Sequence, residues 1–176
     1  MPLPDEPAAQ ALIPYQLPFP PDALSEIVLP DVARDDERLW VPQEESVWFR
    51  PLCLCVSGGY WANLLRVRRA GVLSRHRHPG PVHGYVIKGS WRYLEHDWSA
   101  EAGSYVFEPP GETHTLTVPE NVEEMITMFH VTGSMIYVDP YGKVTGYEDV
   151  FTKADMCRRH YESVGLGRDF VEAFIR

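Results

Sequence analysis

From Ser46 onward, apolar and polar residues alternate with the period of two that marks half-buried β-strands. The run beginning at Tyr60 puts Trp61, Asn63, Leu65 and Val67 on one face, and Tyr60, Ala62, Arg66 and Arg68 on the other. The preceding VWFRPLCLCVS reads as one strand region broken by Pro51, and Gly58-Gly59 as a turn. Tyr85 to Ile87 and Trp91 to Leu94 flank Gly89-Ser90, which predicts a hairpin; Glu95 to Trp98 is a polar turn. Gly103 to Phe107, His114 to Val118, Met125 to Val131 and Met135 to Val138 complete a series of short strands. Such spacing suits a β-sandwich or barrel.

The two ends depart from this pattern. In residues 1–45, Pro14, Pro18, Pro20, Pro21 and Pro30 forbid long regular structure. Leu12, Ile13, Tyr15, Leu17 and Phe19 are too many apolar residues for a solvated tail. The segment therefore reads as an arm lying across the barrel or a partner subunit, with a short helix over residues 21–27. After residue 150, ADMCRRHYESVGLGRDFVEAFIR has helical spacing, as two short helices parted at Gly165–Gly167. The layout is an arm (1–45), a barrel (46–150) and a helical segment (151–176), in a mainly β single-domain chain.

The candidate chemistry lies in histidines. His76 and His78 are two apart on a strand, so both rings leave the same face and can grip one ion. A third ring has to come from another strand. His114, at the start of HTLTV after a Pro-Pro-Gly turn, is placed for that role. Three imidazoles suit zinc, iron, nickel or copper, so ligand type alone does not choose the metal. His83, beside Val82, should face away from this pair. His96, His130 and His160 read as turn, packed or exposed residues, and Glu108 and Glu112 flank the turn as candidate replacement carboxylates. Trp61, Val82, Gly84, Trp91, Tyr93 and Phe129 are the candidate pocket residues, with Val82 and Gly84 expected to leave apolar room for an aromatic ring.

These residues resemble two motifs of the cupin superfamily. Gly103, Pro109, Gly111 and His114 match the second motif in full spacing, with Val118 where Asn is usual. His76, His78 and Gly89 match the first. Its leading Gly stands one residue out of step at Gly71, and its Glu position holds Val82. The resemblance implies a double-stranded β-helix, or jelly-roll barrel, with His76, His78 and His114 converging inside it. Three histidines without the motif carboxylate are similar to the three-histidine non-haem iron dioxygenases. Among these, the early Pro-rich segment and the PPGETHTL run resemble the 2,4'-dihydroxyacetophenone dioxygenases. That implies Fe(II) as cofactor, dioxygen as co-substrate, and cleavage of an aryl hydroxymethyl ketone to 4-hydroxybenzoate and formate. A diketone-cleaving cupin, a metal-dependent isomerase and a non-catalytic cupin sensor are the alternatives. An isomerase is expected to keep the carboxylate that Val82 replaces.

Length and charge narrow the setting. A chain of 176 residues suits one domain with a real core, and a net charge of −9 argues against nucleic acid and anionic membranes. No run approaches the roughly 20 apolar residues that span a bilayer. The opening MPLPDEPAAQ has no basic region or long apolar core, so no signal peptide is expected. Cys53, Cys55 and Cys157 are odd in number and lack CxxC spacing, which fits reduced thiols and a cytoplasmic setting. A homodimer or homotetramer is expected, because an apolar arm and exposed strand edges need cover.

Overall fold

The computed structural model describes residues 12–34 and 36–176. In chain order the strands are β1 (Val41–Glu44), β2 (Val47–Cys55), β3 (Tyr60–Val67), β4 (Gly71–Arg77), β5 (Val82–Lys88) and β6 (Ser90–Tyr93), then β7 (Ala100–Glu101), β8 (Tyr105–Glu108), β9 (Thr113–Val118), β10 (Met125–Thr132), β11 (Ser134–Val138) and β12 (Val144–Asp149). They form two six-stranded antiparallel sheets, ordered β1-β2-β3-β10-β5-β8 and β12-β11-β4-β9-β6-β7. The alternating strands turn one face of each sheet inward: Trp61, Val67 and Met125 from the first meet Trp91, Tyr93 and Leu116 from the second in one core. This is the expected mainly β, single-domain cupin barrel. The first strand begins at Val41, before residue 46, where the alternation becomes legible.

Two local expectations are corrected. Pro51 does not break its strand, because β2 runs through it to Cys55. β1 pairs with β2 only from Val47 to Phe49, and a bulge lies between Pro51 and Cys53. The proline thus stands beyond the end of β1 and beside a bulge in the β2–β3 ladder, a place where a strand tolerates the missing N–H. Gly89-Ser90 does not close a hairpin either. β5 and β6 belong to different sheets, and Gly89 carries the chain from one to the other at φ +70°. A methyl group there would sit 2.5 Å from the Glu124 carbonyl oxygen, so only glycine fits.

The arm is corrected in part. Residues 21–27 form one turn, closed by Ala23 N–H to the Pro20 carbonyl at 3.0 Å, and no helix. An isolated turn without tertiary cover does not hold helix. Leu12, Tyr15, Leu17, Phe19, Leu24 and Val28 are exposed, so this stretch does not lie across its own barrel. The chain meets the barrel from Leu29; Val32 and Ala33 pack with Trp40, Leu64 and Ile126 on the outer side of the first sheet. The leader reading of residues 1–10 lies outside the described residues.

At the other end α1 (Val150–Ser163) starts at a reciprocal cap. Thr152 N–H donates to Asp149 Oδ1 at 2.8 Å, and Asp149 N–H to Thr152 Oγ1 at 2.8 Å. It buries Val150, Lys153, Ala154, Cys157 and Tyr161, and a 3₁₀ turn (Arg168–Phe174) follows Gly165 and Gly167. No helix among the described residues is long and apolar enough to cross a membrane. Gly89→Ala is expected to destabilise the fold by about 2–4 kcal/mol, from left-handed backbone strain plus overpacking. Denaturant unfolding measures it, and a loss under about 1 kcal/mol would mean the sheet crossing tolerates a side chain.

Candidate metal centre

His76 on β4 lies directly opposite His114 on β9 in the strand register. Opposed residues share a face, so a local pairing rule brings the two rings together. His78 follows the end of β4. Its carbonyl accepts the Gly111 N–H at 2.9 Å, so the Pro-Pro-Gly turn of the second motif ties down the last histidine of the first. The fourth member is Glu108 at the end of β8. It stands opposite Val82 in the β5–β8 register. The motif position on β5 lacks a carboxylate, and the strand beside it supplies one. The three-histidine set read from the sequence is thus joined by one of the two carboxylates weighed as a replacement. Glu112, the other, instead accepts from His96 Nε2 at 2.6 Å outside the group.

One donor atom from each of His76, His78, Glu108 and His114 lies within 4.8 Å of the others, and all four residues are buried. Glu108 Oε2 sits 3.2 Å from His78 Nε2 and 3.4 Å from His114 Nε2. Yet Glu108 Oε2 and both His114 nitrogens have no hydrogen-bond partner. Burial, followed by repulsion from His78 and His114, pushes the His76 imidazole well below its usual range. Burial also lowers His114. Neutral rings facing a buried carboxylate leave lone pairs without donors, at roughly 1–3 kcal/mol for each unsatisfied group. A divalent cation accepting from all four would remove that cost, so the donor set fits a metal ion. Imidazole with carboxylate suits iron, zinc or other transition ions.

Two further side chains hold the donors. Ser74 Oγ lies 3.0 Å from His76 Nδ1, which leaves Nε2 of that ring for an ion. The Tyr93 hydroxyl donates to Glu108 Oε1 at 2.7 Å, while its ring stacks on His114 at 3.7 Å and 7°. Burial, then the nearby Glu108 charge, keeps that phenol protonated far above its usual range. One tyrosine therefore orients two of the four donors.

A small cavity, about 50 Å³, opens beside the group. Trp61, Leu65, Val82, Leu116, Phe129 and Val131 give it apolar walls. Of the pocket residues expected from sequence, Trp61, Val82, Tyr93 and Phe129 line it; Gly84 and Trp91 do not. Trp91 is wholly buried and packs edge-on against Tyr93, with ring centres 5.1 Å apart. The space at Gly84 is taken by the protein's own Phe129, whose ring would lie 3.1 Å from an added methyl. His83 faces away as expected, 2.8 Å from the Tyr105 hydroxyl. His130 packs near Tyr60, and His160 Nε2 meets the Arg38 carbonyl, both apart from the group.

The sequence profile described as the ChrR cupin-like domain matches residues 30–136. Similar solved structures include an RmlC-like cupin protein from Ralstonia eutropha, at 30% identity and TM-score 0.66 over 72% of this chain and 83% of that one. A protein with a cupin-like fold from the same organism has 24% identity and TM-score 0.65, over 68% and 75%. An acetylacetone dioxygenase from Acinetobacter johnsonii has 18% identity and TM-score 0.67, over 83% and 99%. The last two, at such identity, bear on the fold alone. No curated protein matches the chain in sequence.

Tyr93→Phe keeps the stack on His114 and removes the bond to Glu108. It is expected to weaken metal binding about 10- to 100-fold. Competition against a chromophoric chelator reads this out, and unchanged affinity would mean that Glu108 is oriented by other contacts.

Proposed function

This chain belongs to the ChrR cupin-like domain family, and on that premise we propose that it is an iron(II)-dependent dioxygenase cleaving a carbon–carbon bond beside a ketone. The observation that carries this reading is the buried His76, His78, Glu108 and His114 group, with orphaned donor atoms, beside a cavity walled by Trp61, Val82 and Phe129. When bound, the metal would supply Lewis-acid and redox chemistry that no side chain here can provide. The protein's own residues do the rest. His76, His78 and His114 offer ring nitrogens from one wall, and Tyr93 holds Glu108 in place. Val82, Phe129 and Trp61 exclude water and present apolar surfaces to a substrate.

The favoured substrate is an aryl hydroxymethyl ketone such as 2,4'-dihydroxyacetophenone, which with one dioxygen gives 4-hydroxybenzoate and formate. Aromatic walls at Trp61 and Phe129 support an aryl group. Cleavage of a β-diketone is the second reading, favoured by the small volume of the cavity. Glu108 sets the formal charge that either substrate would meet. With three imidazoles alone a ferrous centre keeps a formal charge of +2, and one carboxylate lowers it to +1.

Iron-loaded protein is expected to consume one dioxygen per 2,4'-dihydroxyacetophenone, with both acids as products. An oxygen electrode with product chromatography measures this, and pentane-2,4-dione runs beside it. Iron bound stoichiometrically with no uptake on either ketone would replace the dioxygenase by a non-catalytic metal-binding cupin. Val82→Glu sets a second carboxylate opposite Glu108 and is expected to lower turnover tenfold or more, about 1.4 kcal/mol in barrier, with iron retained. His114→Ala should lose the iron.

The exposed arm supports assembly with a second copy. Tyr85, Ile87, Tyr105 and Phe107 are exposed on the outer face of β5 and β8, and β8 is a sheet edge. An apolar arm and an apolar edge on one chain can cover each other between two copies. Sedimentation velocity at micromolar concentration is expected to show a dimer or larger species, reduced to monomer on deleting residues 1–28. A full-length monomer would contradict this.

A further inference from the structure

A second polar group borders the cavity. Gln43 and Lys153 line it, yet neither belongs to the metal group. Lys153 comes from α1 and is only 3% exposed. Its ammonium reaches Glu148 Oε2 at 2.7 Å and Gln43 Oε1 at 3.0 Å, and lies 4.2 Å from the centre of the Phe49 ring. Gln43 Nε2 in turn meets the Tyr137 hydroxyl at 3.2 Å and Glu148 Oε2 at 3.4 Å.

This cluster meets the metal group at one point, because Tyr137 on β11 stands directly opposite His76 on β4. Gln43 lies on β1, one edge of the first sheet; Glu108 lies on β8, the other edge. Tyr137 and Glu148 come from β11 and β12, the outer strands of the second sheet, and α1 packs on β12 and on β1. From the metal group the contacts pass from His76 to Tyr137, at 6.4 Å between ring centres, and only then to Gln43 and Lys153. The lining of the cavity therefore holds two polar groups, with apolar residues making up most of the rest.

Stability alone gives little reason for a buried lysine here, because a buried ion pair is about as stable as well-packed apolar residues of the same volume. An ammonium carries three donors, and Glu148 and Gln43 take two. We propose that Lys153, positioned by Glu148 and Gln43, is a specificity-determining residue: it binds a phenol oxygen at the end of the ligand remote from the metal group. The cavity then selects flat aryl ketones with a para-hydroxyl over those without one. A site built around a polar ligand atom rejects the analogue lacking it, because its own buried group is left unpaired. The inference rests on the ketone reading of the site, but it specifies a binding preference that needs no turnover.

The test is calorimetric titration of iron-loaded protein under nitrogen with 4'-hydroxyacetophenone and with acetophenone. Wild type is expected to bind the hydroxylated ketone about tenfold or more tightly. Lys153→Met should bring the two within about twofold of each other, a factor worth under 0.5 kcal/mol, while iron content and circular dichroism stay unchanged. Lys153→Arg should restore part of the preference, which a purely structural role of the lysine would not produce. If Lys153→Met fails to fold, Gln43→Leu carries the test, with the same narrowing expected. Equal affinities in wild type, binding of neither ketone, or a preference that survives both variants would overturn the proposal. A preference in wild type without oxygen uptake on the hydroxyketone would instead sink the cleavage reaction and leave the selection standing.

Discussion

A carboxylate enclosed with three imidazoles is the constraint on which the interior depends. Glu108, His76, His78 and His114 are all nearly sealed from water. Moving an ionised group out of water without compensation costs more than the few kcal/mol by which a domain of this size is stable. The surrounding structure is arranged around that cost. Tyr93 is held at full burial with its hydroxyl on the carboxylate, and Trp91 backs Tyr93. Ser74 fixes the outer nitrogen of His76, and the Gly111 amide fixes the backbone at His78. What these contacts leave unsatisfied converges on one point, which is why the group reads as a place for a cation rather than as a salt-bridged core.

Much of this was legible in sequence. The two-residue period sorted Trp61, Asn63, Leu65 and Val67 onto the inner face, where they line the cavity or the core. Motif spacing brought His76, His78 and His114 together, because strand period and turn length are local quantities. Glu108 was harder. Its place in the group depends on β8 lying beside β5, a pairing between strands with a sheet crossing between them. The signal was there in a negative form: an apolar residue at position 82 where a ligand would stand, and acidic residues on both sides of the Pro-Pro-Gly turn. Tyr93 is legible as a pocket residue, but its double hold on His114 and Glu108 is a product of tertiary packing that no periodicity carries.

The departures at Gly89-Ser90 and Pro51 have the same origin. Gly89-Ser90 has the composition of a hairpin turn, and the strands on either side have the right lengths. Whether such a turn folds a strand back or hands it to the opposite sheet is decided by what packs at the corner, here Val122 and Glu124. Pro51 was tolerated because its neighbour β1 is short. In both cases the residue type is a local property, whereas the partner strand is set by tertiary packing. Lys153 and Gln43 gave no local signal at all, since they meet only when the C-terminal helix docks on the first strand, 110 positions away in sequence.

The pairing of Gly84 with Phe129 bears on how this cavity could change through evolution. The ring occupies the place that a side chain at position 84 would take, and the two residues face each other in the β5–β10 register. Cavity volume is thus held by one reciprocal large-and-small pair, away from all four donors. Exchanging bulk between these two sites would reshape the space offered to a ligand while leaving the strands that carry the donors unaltered. A scaffold with that separation can drift in substrate size by single steps without first losing its chemistry.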